Sequence, residues 1–289
     1  MAVRAYRAPR SIPEAVSLLA SEPGAFALSG GTDLLVQQRS GARDPGAFID
    51  LKRIPGMLGI EEQAACWRIG ASTPCVDIAS HAGLRREFPG LVEAAGLIGS
   101  KQVQGRASLG GNLCNASPAA DSVPALVVNR ASLLISGPQG ERRIAAECLT
   151  LGPGRTVLGS GEFLSAVEIP RAAVRQADAY LRFIPRTEMD IAVVGAAAAL
   201  QLDAEGRCTA ARIALGAVAP TVLTVPEADA VLIGTHLDTD AVAACVAIAQ
   251  SACNPISDRR GTAEFRRHVA GVLLRRVIAI AAQRAAQGV

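Results

Sequence analysis

The feature that most constrains this chain is a pair of glycine-rich segments about 80 residues apart. The first glycine segment is residues 29–33 (SGGTD), and the second glycine segment is residues 108–112 (SLGGN). Each follows a short apolar stretch and precedes a predicted helix, so each can bring bare backbone N–H groups against an anion. Glycine suits such a place because a Cβ atom would block close approach and because glycine tolerates φ > 0. One segment alone would indicate an ordinary tight turn, whereas two can hold the two phosphates of one dinucleotide from opposite sides.

Local patterns before residue 175 predict two consecutive α/β units. Ser11 and Glu14 have the spacing of a capping box and predict the first helix. The other predicted elements of the first unit are strands at 25–28 and 48–51 and a helix from Asp33 that Gly41 closes. The second unit is predicted to hold strands at 66–70 and 163–169, helices at 89–98 and 123–128, and a hairpin over 132–145.

The order of elements changes after a polar stretch at residues 171–178, which predicts a linker. Three strands follow, at 180–185, 192–202 and 209–218, and then helices, the last from about residue 263. Strands followed by helices are typical of an α+β domain. The sequence therefore predicts an α+β protein. Its two-part α/β domain spans residues 1–175, divided near residue 55, and a C-terminal domain of antiparallel strands plus helices spans residues 176–289.

Composition narrows the class of protein. The chain has 289 residues, half of them hydrophobic, but no apolar run approaches the roughly 18 residues of a membrane span. Arginines at positions 4, 7 and 10 interrupt any signal-peptide core, so we expect a soluble, cytoplasmic protein. The net charge of +3 and the absence of aromatic residues among the basic ones argue against nucleic-acid binding. Arginine pairs are expected on solvated faces, at 85–86, 142–143, 266–267 and 275–276.

The cysteines and histidines of the chain argue against a metal site and against a nucleophilic catalytic site. The seven cysteines contain no C-x-x-C spacing, and structural zinc and iron–sulfur sites need clustered thiolates. The three histidines are widely scattered, so neither a metal site nor a histidine-based triad is expected. The sequence thus predicts no catalytic residue and no metal ligand in this chain.

The two glycine segments resemble those of the flavin-binding subunit of the molybdenum hydroxylases, the family of xanthine, carbon monoxide and nicotine dehydrogenases. The resemblance continues in residues 115–121 (NASPAAD), 186–192 (RTEMDIA) and 257–268 (SDRRGTAEFRRH), in the family's order. It implies a flavin domain of the vanillyl-alcohol-oxidase (PCMH) type and non-covalently bound FAD.

The resemblance also assigns cofactor contacts. The residues it places at FAD are Leu28, Ser29, Gly30, Gly31, Thr32, Asp33, Leu34, Ala107, Ser108, Gly110, Gly111, Asn112, Asn115, Asp121 and Arg182, with Ser165 and Ile98 as weaker assignments. Asn112 and Asn115 suit amide hydrogen bonds to phosphate, and Asp121 suits a hydroxyl or ring nitrogen unless it only caps a helix. Arg182 would contact the flavin unless it is a surface arginine, and Arg186, Glu188 and Asp190 could form a local ion-pair network.

By the same resemblance, the chain passes electrons from [2Fe–2S] clusters to an external acceptor. A small iron–sulfur subunit and a large molybdopterin subunit, which carries the molybdenum cofactor, would complete a heterotrimer that pairs into a dimer. Substrate chemistry would then occur on the large chain, and the substrate and acceptor stay open. Two alternatives also stay open: a stand-alone FAD-dependent reductase of the same cofactor-binding type, and a non-redox binding module.

Overall fold

The computed structural model describes residues 5–288, which begin with a small parallel sheet. Its elements are β1 (Ala5–Arg7), α1 (Ile12–Ser21), β2 (Ala25–Leu28), α2 (Leu34–Arg39) and β3 (Ala47–Asp50), followed by a 3₁₀ turn at Leu51–Arg53. The strand order is β1-β3-β2, with both pairs parallel. The carboxyl ends of parallel strands meet at one edge, so the first glycine segment after β2 lies beside the turn after β3. The predicted helix start is confirmed: Ser11 Oγ accepts the N–H of Glu14, although the Glu14 carboxylate accepts the N–H of Arg10 rather than that of Ser11.

The second unit is an antiparallel sheet interrupted by a run of helices. Its strands are β4 (Ile60–Glu62), β5 (Cys66–Gly70), β6 (Ser132–Gly137), β7 (Gly140–Ala145), β8 (Thr150–Gly152), β9 (Arg155–Thr156) and β10 (Phe163–Pro170). Five of them follow the order β4-β5-β10-β6-β7, and β8 pairs with β9. The helices between β5 and β6 are α3 (Cys75–Ser80), α4 (Ala82–Glu87), α5 (Pro89–Gly96), α6 (Lys101–Gln104), α7 (Leu109–Asn115) and α8 (Ser122–Val128). The hairpin predicted over 132–145 is confirmed as β6 and β7.

The C-terminal region is an antiparallel sheet between helices. Its elements are β11 (Gln176–Phe183), β12 (Val194–Leu202), β13 (Cys208–Gly216), β14 (Leu223–Thr224), α9 (Pro226–Ala230), α10 (Thr239–Ala252) and α11 (Ala263–Gln287). Along β12, Ala197 and Ala199 join the core beneath α5 and α8, while Ala196 and Ala198 join the core under α10 and α11. Alternate side chains of a strand point to opposite faces, so this alanine run serves a sheet buried on both sides. The predicted fold class is confirmed.

The linker predicted over residues 171–178 is wrong at its C-terminal end. Gln176 already pairs with Gln201 in the sheet, so β11 begins inside the polar stretch. The next polar residue, Asp178, is buried because its carboxylate accepts the N–H groups of Gly90 and Leu91 at the start of α5. A partnered buried carboxylate leaves no hydrophobic signal in the sequence, which explains the error.

The expectation that the paired arginines lie on solvated faces is also wrong at Arg266. This residue is only 4% exposed, and its guanidinium donates to the carbonyl oxygens of Val193 and Ala217 and to Asp258. Burial of an arginine requires such partners. Arg266 therefore ties the start of α11 to two strand ends.

Candidate functional site

A cavity of about 650 Å³ opens between the parallel sheet and the second unit. Both glycine segments line it, together with Thr156 at the end of β9 and residues 158–164. The predicted site residues in its lining are Leu28, Ser29, Gly30, Gly31, Thr32, Asp33, Leu34, Ala107, Ser108, Gly110, Gly111, Asn112 and Asn115, along with the weaker assignment Ile98. Folding thus brings two sequence-distant predicted groups to one cavity.

The two glycine segments touch each other directly. A Cβ atom built on Gly30 would lie 1.8 Å from the carbonyl oxygen of Arg106, so the backbones meet where only hydrogen fits. The hydroxyl oxygens of Ser29 and Ser108 are 2.9 Å apart. These contacts close one side of the cavity and hold its two walls in a fixed relation.

The first glycine segment presents backbone donors. Gly31 has φ of +77°, the left-handed region that glycine favours. Within residues 5–288, the N–H groups of Gly30, Gly31, Thr32 and Asp33 have no hydrogen-bond acceptor. Four consecutive unpaired N–H groups on a cavity wall can all donate hydrogen bonds to an anion.

The second glycine segment differs, because its N–H groups are already used. Gly110 donates to the carbonyl of Ala71 at 3.0 Å, Gly111 to Ser108 Oγ at 3.1 Å, and Asn112 to the carbonyl of Ser108 at 2.9 Å. Its glycines lie in the first turn of α7, and their φ values are not positive. The prediction of bare N–H groups therefore holds in the first segment and is wrong in the second.

The glycines of the second segment are needed for space. A Cβ atom on Gly110 would lie 2.5 Å from the carbonyl oxygen of Ala71, where the helix packs on the chain after β5. A Cβ atom on Gly111 would meet only Ser108 Oγ, at 3.2 Å. Since Gly111 lines the cavity, its missing side chain leaves room there for a ligand.

Two asparagine amides complete this wall. Asn115 Oδ1 accepts from Gln37 Nε2 at 2.8 Å, and Asn112 Oδ1 accepts from Ser122 Oγ at 2.7 Å. The Nδ2 groups of both have no acceptor among the described residues. As oriented here, each amide keeps a free donor beside the cavity, which suits an acceptor-only ligand.

Among residues 5–288, the charged side chains in the lining are three carboxylates, Glu22, Asp33 and Glu162, and one arginine, Arg43. Hydrogen bonds from Arg142 lower the pKa of Glu162 to about 2, and burial raises the pKa of Asp33. The Arg43 guanidinium lies 5.4 Å from the centre of the Phe26 ring, a cation–π distance. An anion in this cavity must therefore be held chiefly by backbone and amide donors.

Three predicted site residues, Asp121, Ser165 and Arg182, lie outside the lining. The carboxylate of Asp121 accepts from Tyr180 at 2.7 Å and from Arg182 at 2.6 Å, joining α8 to β11. Burial raises the pKa of Asp121 to about 6, although Arg182 and Tyr180 act to lower it. Ser165 Oγ donates to the carbonyl of Leu134 between strands. Their contact with a cofactor stays a prediction.

The segment 186–190 forms part of the expected ion-pair network. Arg186 and Arg260 approach Asp190 at 3.7 Å each. Glu188 makes no ion pair with any of residues 5–288. The observed network around Asp190 thus includes Arg260, from the loop before α11, and does not include the predicted Glu188.

Sequence reasoning missed several parts of the site, among them residues 19–27. Residues 159–161 (GSG) line the cavity, and their glycine spacing could have indicated it. Lys52, one of only two lysines in the chain, donates to the carbonyl of Ser29 in the first segment. No local signal marks that contact, because it joins two strand ends.

Residues 5–288 contain no group of three or more His, Cys, Asp or Glu residues that could hold a metal ion. No helix in the same range is both long and apolar enough to cross a membrane.

Comparison with known proteins gives consistent matches over nearly the whole chain. A family model described as the FAD binding domain in molybdopterin dehydrogenase matches residues 2–172. A second, described as the CO dehydrogenase flavoprotein C-terminal domain, matches residues 179–281.

Individual relatives agree. The carbon monoxide dehydrogenase medium chain of Afipia carboxidovorans is 34% identical over 281 residues, 97% of each chain. The xanthine dehydrogenase FAD-binding subunit of Escherichia coli O157:H7 is 29% identical over 94% of each chain. In the solved structure of reconstituted CO dehydrogenase from Oligotropha carboxidovorans, one chain matches with a TM-score of 0.93 and 34% identity, covering 96% of this chain and 97% of that one.

Proposed function

The chain belongs to the family of FAD-binding medium subunits of molybdenum-containing dehydrogenases, and from this premise we propose that it holds FAD between its two glycine segments and passes electrons to an external acceptor. The observation that carries the assignment of the site is the row of unpaired N–H groups from Gly30 to Asp33 on the cavity wall. A diphosphate offers only acceptors, so the donor set and the ligand are complementary.

The cavity suits such a cofactor in size and shape. Its volume of about 650 Å³ lies within the roughly 300–1,000 Å³ usual for small-molecule sites. The wall opposite the first segment has glycine at position 111, where any side chain would enter the cavity. Two asparagine amides add donors at the same wall. When bound, FAD would supply the ability to accept and release electrons.

The residues of the chain bind and orient the cofactor in this proposal. Gly30, Gly31, Thr32 and Asp33 donate backbone N–H groups to the diphosphate, and Asn112 and Asn115 donate amide N–H groups. Gly110 lets α7 pack closely on Ala71, which keeps the second wall in place. We retain Asp121, Ser165 and Arg182 as predicted contacts of the rest of the cofactor.

The domain boundaries and partners belong to the same proposal. We place the FAD domain at residues 1–175, with subdomains divided near residue 55, and the C-terminal domain at residues 176–289. Relatives named medium chains and FAD-binding subunits support an assembly with a small iron–sulfur chain and a large molybdopterin chain. We further propose a dimer of such heterotrimers in the cytoplasm, with the molybdenum cofactor and the [2Fe–2S] clusters on the partners.

A single-turnover experiment tests the electron-transfer role. The complex with and without this chain is reduced by substrate, and acceptor is then added. We expect both forms to be reduced, but only the complete complex should be reoxidised quickly. Equal reoxidation rates would leave this chain a purely structural role. The flavin content of the isolated chain tests the cofactor separately: acid should release one FAD per chain, and FMN or protein-attached flavin would contradict the proposal.

A further inference from the structure

Lys52 lies directly behind the first glycine segment, in the turn that follows β3. Its ammonium donates to the carbonyl oxygen of Ser29 at 2.7 Å and to Asp50 Oδ1 at 2.6 Å. The side chain is 27% exposed, and it is not part of the cavity lining. Ammonium is donor-only and a carbonyl is acceptor-only, so the direction of this contact is unambiguous.

We propose that Lys52 is a positioning residue of the FAD site, which orients the Ser29–Gly30 peptide and places a positive charge behind the row of free N–H groups. This inference rests on the proposed function. A trans peptide unit is planar, with its C=O and N–H on opposite sides. Holding the carbonyl of Ser29 towards Lys52 therefore turns the N–H of Gly30 the other way, away from the parallel sheet. The N–H of Gly30 is the first of the four unpaired donors.

The lysine is itself held by its neighbours. Asp50 is 6% exposed, and it accepts from the Lys52 ammonium, from the Lys52 backbone N–H at 3.1 Å and from the Tyr6 hydroxyl at 2.5 Å. Burial acts to raise the pKa of Asp50, but the hydrogen bonds from Lys52 and Tyr6 outweigh it and lower that pKa. All three strand ends of the parallel sheet thus contribute to one network: Tyr6 on β1, Asp50 on β3 and Ser29 after β2.

The charges that line the cavity explain why the positive charge of Lys52 would favour diphosphate binding. From the described part of the chain, residues 5–288, the lining receives three carboxylates, Glu22, Asp33 and Glu162, and one arginine, Arg43. A diphosphate would add further negative charge to that wall. Lys52 lies one peptide unit behind the donors, where it polarises the Ser29–Gly30 peptide and so strengthens the N–H as a donor.

A simpler role would be to brace β3 against β2. The two roles differ in their effect on ligands, because a brace supports the whole cavity whereas the proposed role acts at the phosphates. The test therefore compares FAD with riboflavin, which has the same ring system and no phosphate. Lys52→Met removes the charge and the donor and keeps the length of the side chain. Lys101→Met, at the exposed other lysine of the chain, is the matched control.

Both ligands are titrated into the flavin-free full chain by fluorescence. Lys52→Met should raise the Kd for FAD by about tenfold and change the Kd for riboflavin by less than about twofold, as expected for one charge-assisted contact. Lys101→Met should change neither. An unchanged Kd for FAD, or an equal loss for both ligands, overturns the inference. Failure of the wild-type chain to bind FAD would instead overturn the proposed function.

Thermal unfolding gives a second readout. Bound FAD raises the melting temperature, and the size of the rise depends on the affinity for FAD. This rise should be smaller in Lys52→Met than in the wild type. The difference between the two rises should exceed the fall that the substitution causes in the melting temperature of the flavin-free chain. If Lys52→Met does not fold, Lys52→Gln carries the test, since it removes the positive charge and keeps a polar side chain at the same position. A loss confined to FAD then supports the role, and a loss shared by riboflavin, or none, contradicts it.

Discussion

The two glycine segments lie against each other across one cavity, yet their glycines serve different physical needs. In the first, Gly31 adopts a positive φ, and a row of N–H groups has no acceptor among residues 5–288. In the second, the glycines are helical and their N–H groups are paired within the protein. Gly110 there allows close packing, and Gly111 leaves space in the cavity. The Gly-Gly dipeptide thus supplies hydrogen-bond donors in the first segment and space for a ligand in the second.

Alanine at Gly30 should have the largest effect, because its Cβ atom would lie 1.8 Å from a backbone oxygen, that of Arg106. Neither backbone can move without separating the two walls. We expect bound FAD to be lost and the free energy of unfolding to fall by about 3 kcal/mol. Urea unfolding and flavin absorbance measure both, with Gly111→Ala as a control for stability alone, because a Cβ atom there meets only Ser108 Oγ but enters the cavity. Wild-type stability and full flavin content in Gly30→Ala would show that the walls do not meet as described.

Valine substitutions at Gly31 and Gly111 should have the same effect on FAD binding but different effects on stability. Both changes place a branched side chain beside the expected diphosphate and should abolish FAD binding. At Gly31 the side chain also meets a positive φ and lies 3.0 Å from Leu35 Cδ1, so stability should fall by about 1–2 kcal/mol. At Gly111 stability should change by less than about 1 kcal/mol, since valine is no worse than glycine in a helix. Normal FAD binding by either variant would remove that segment from the site.

Alanine at Ser108 removes the acceptor of the Gly111 N–H and tests whether the second segment acts as a donor. We expect a loss of about 1 kcal/mol of stability, the usual value of a helix cap, with the Kd for FAD changed by less than about threefold. Thr262→Ala is the matched control, because Thr262 caps α11 away from the cavity lining. A clear gain in FAD affinity on freeing the Gly111 N–H would mean that both segments present donors.

The smallest effect is expected from Asp33, the one carboxylate within the glycine segments. Burial raises the pKa of Asp33, and a nearby diphosphate would raise it further, so binding of FAD should take up protons. FAD affinity should therefore fall by about two- to threefold as the pH rises past the raised pKa of this group. Asp33→Asn should flatten that slope in titrations at several pH values. An unchanged slope would place the carboxylate away from the diphosphate.

Much of the fold could be predicted from the sequence, because local signals mark it. The helix start at Ser11, the hairpin at 132–145 and the order of strands before helices after residue 180 all depend on residues close together in the chain. The prediction failed where a polar side chain is buried with distant partners. Asp178 beneath α5 and Arg266 beneath two strand ends are the examples.

The sequence by itself determined the two glycine segments, their family and most of the elements that carry them. Only the tertiary structure decided that the N–H of Gly110 is used, because that depends on where Ala71 lies relative to α7, whereas Ser108 takes the N–H groups of Gly111 and Asn112 within the same helical turn. It also decided that Asp121 pairs with Arg182 across 61 residues and that Lys52 holds the carbonyl of Ser29. The physical reason is that the satisfaction of a hydrogen bond and the space beside a glycine are properties of pairs of groups, and folding chooses the partner from distant parts of the chain.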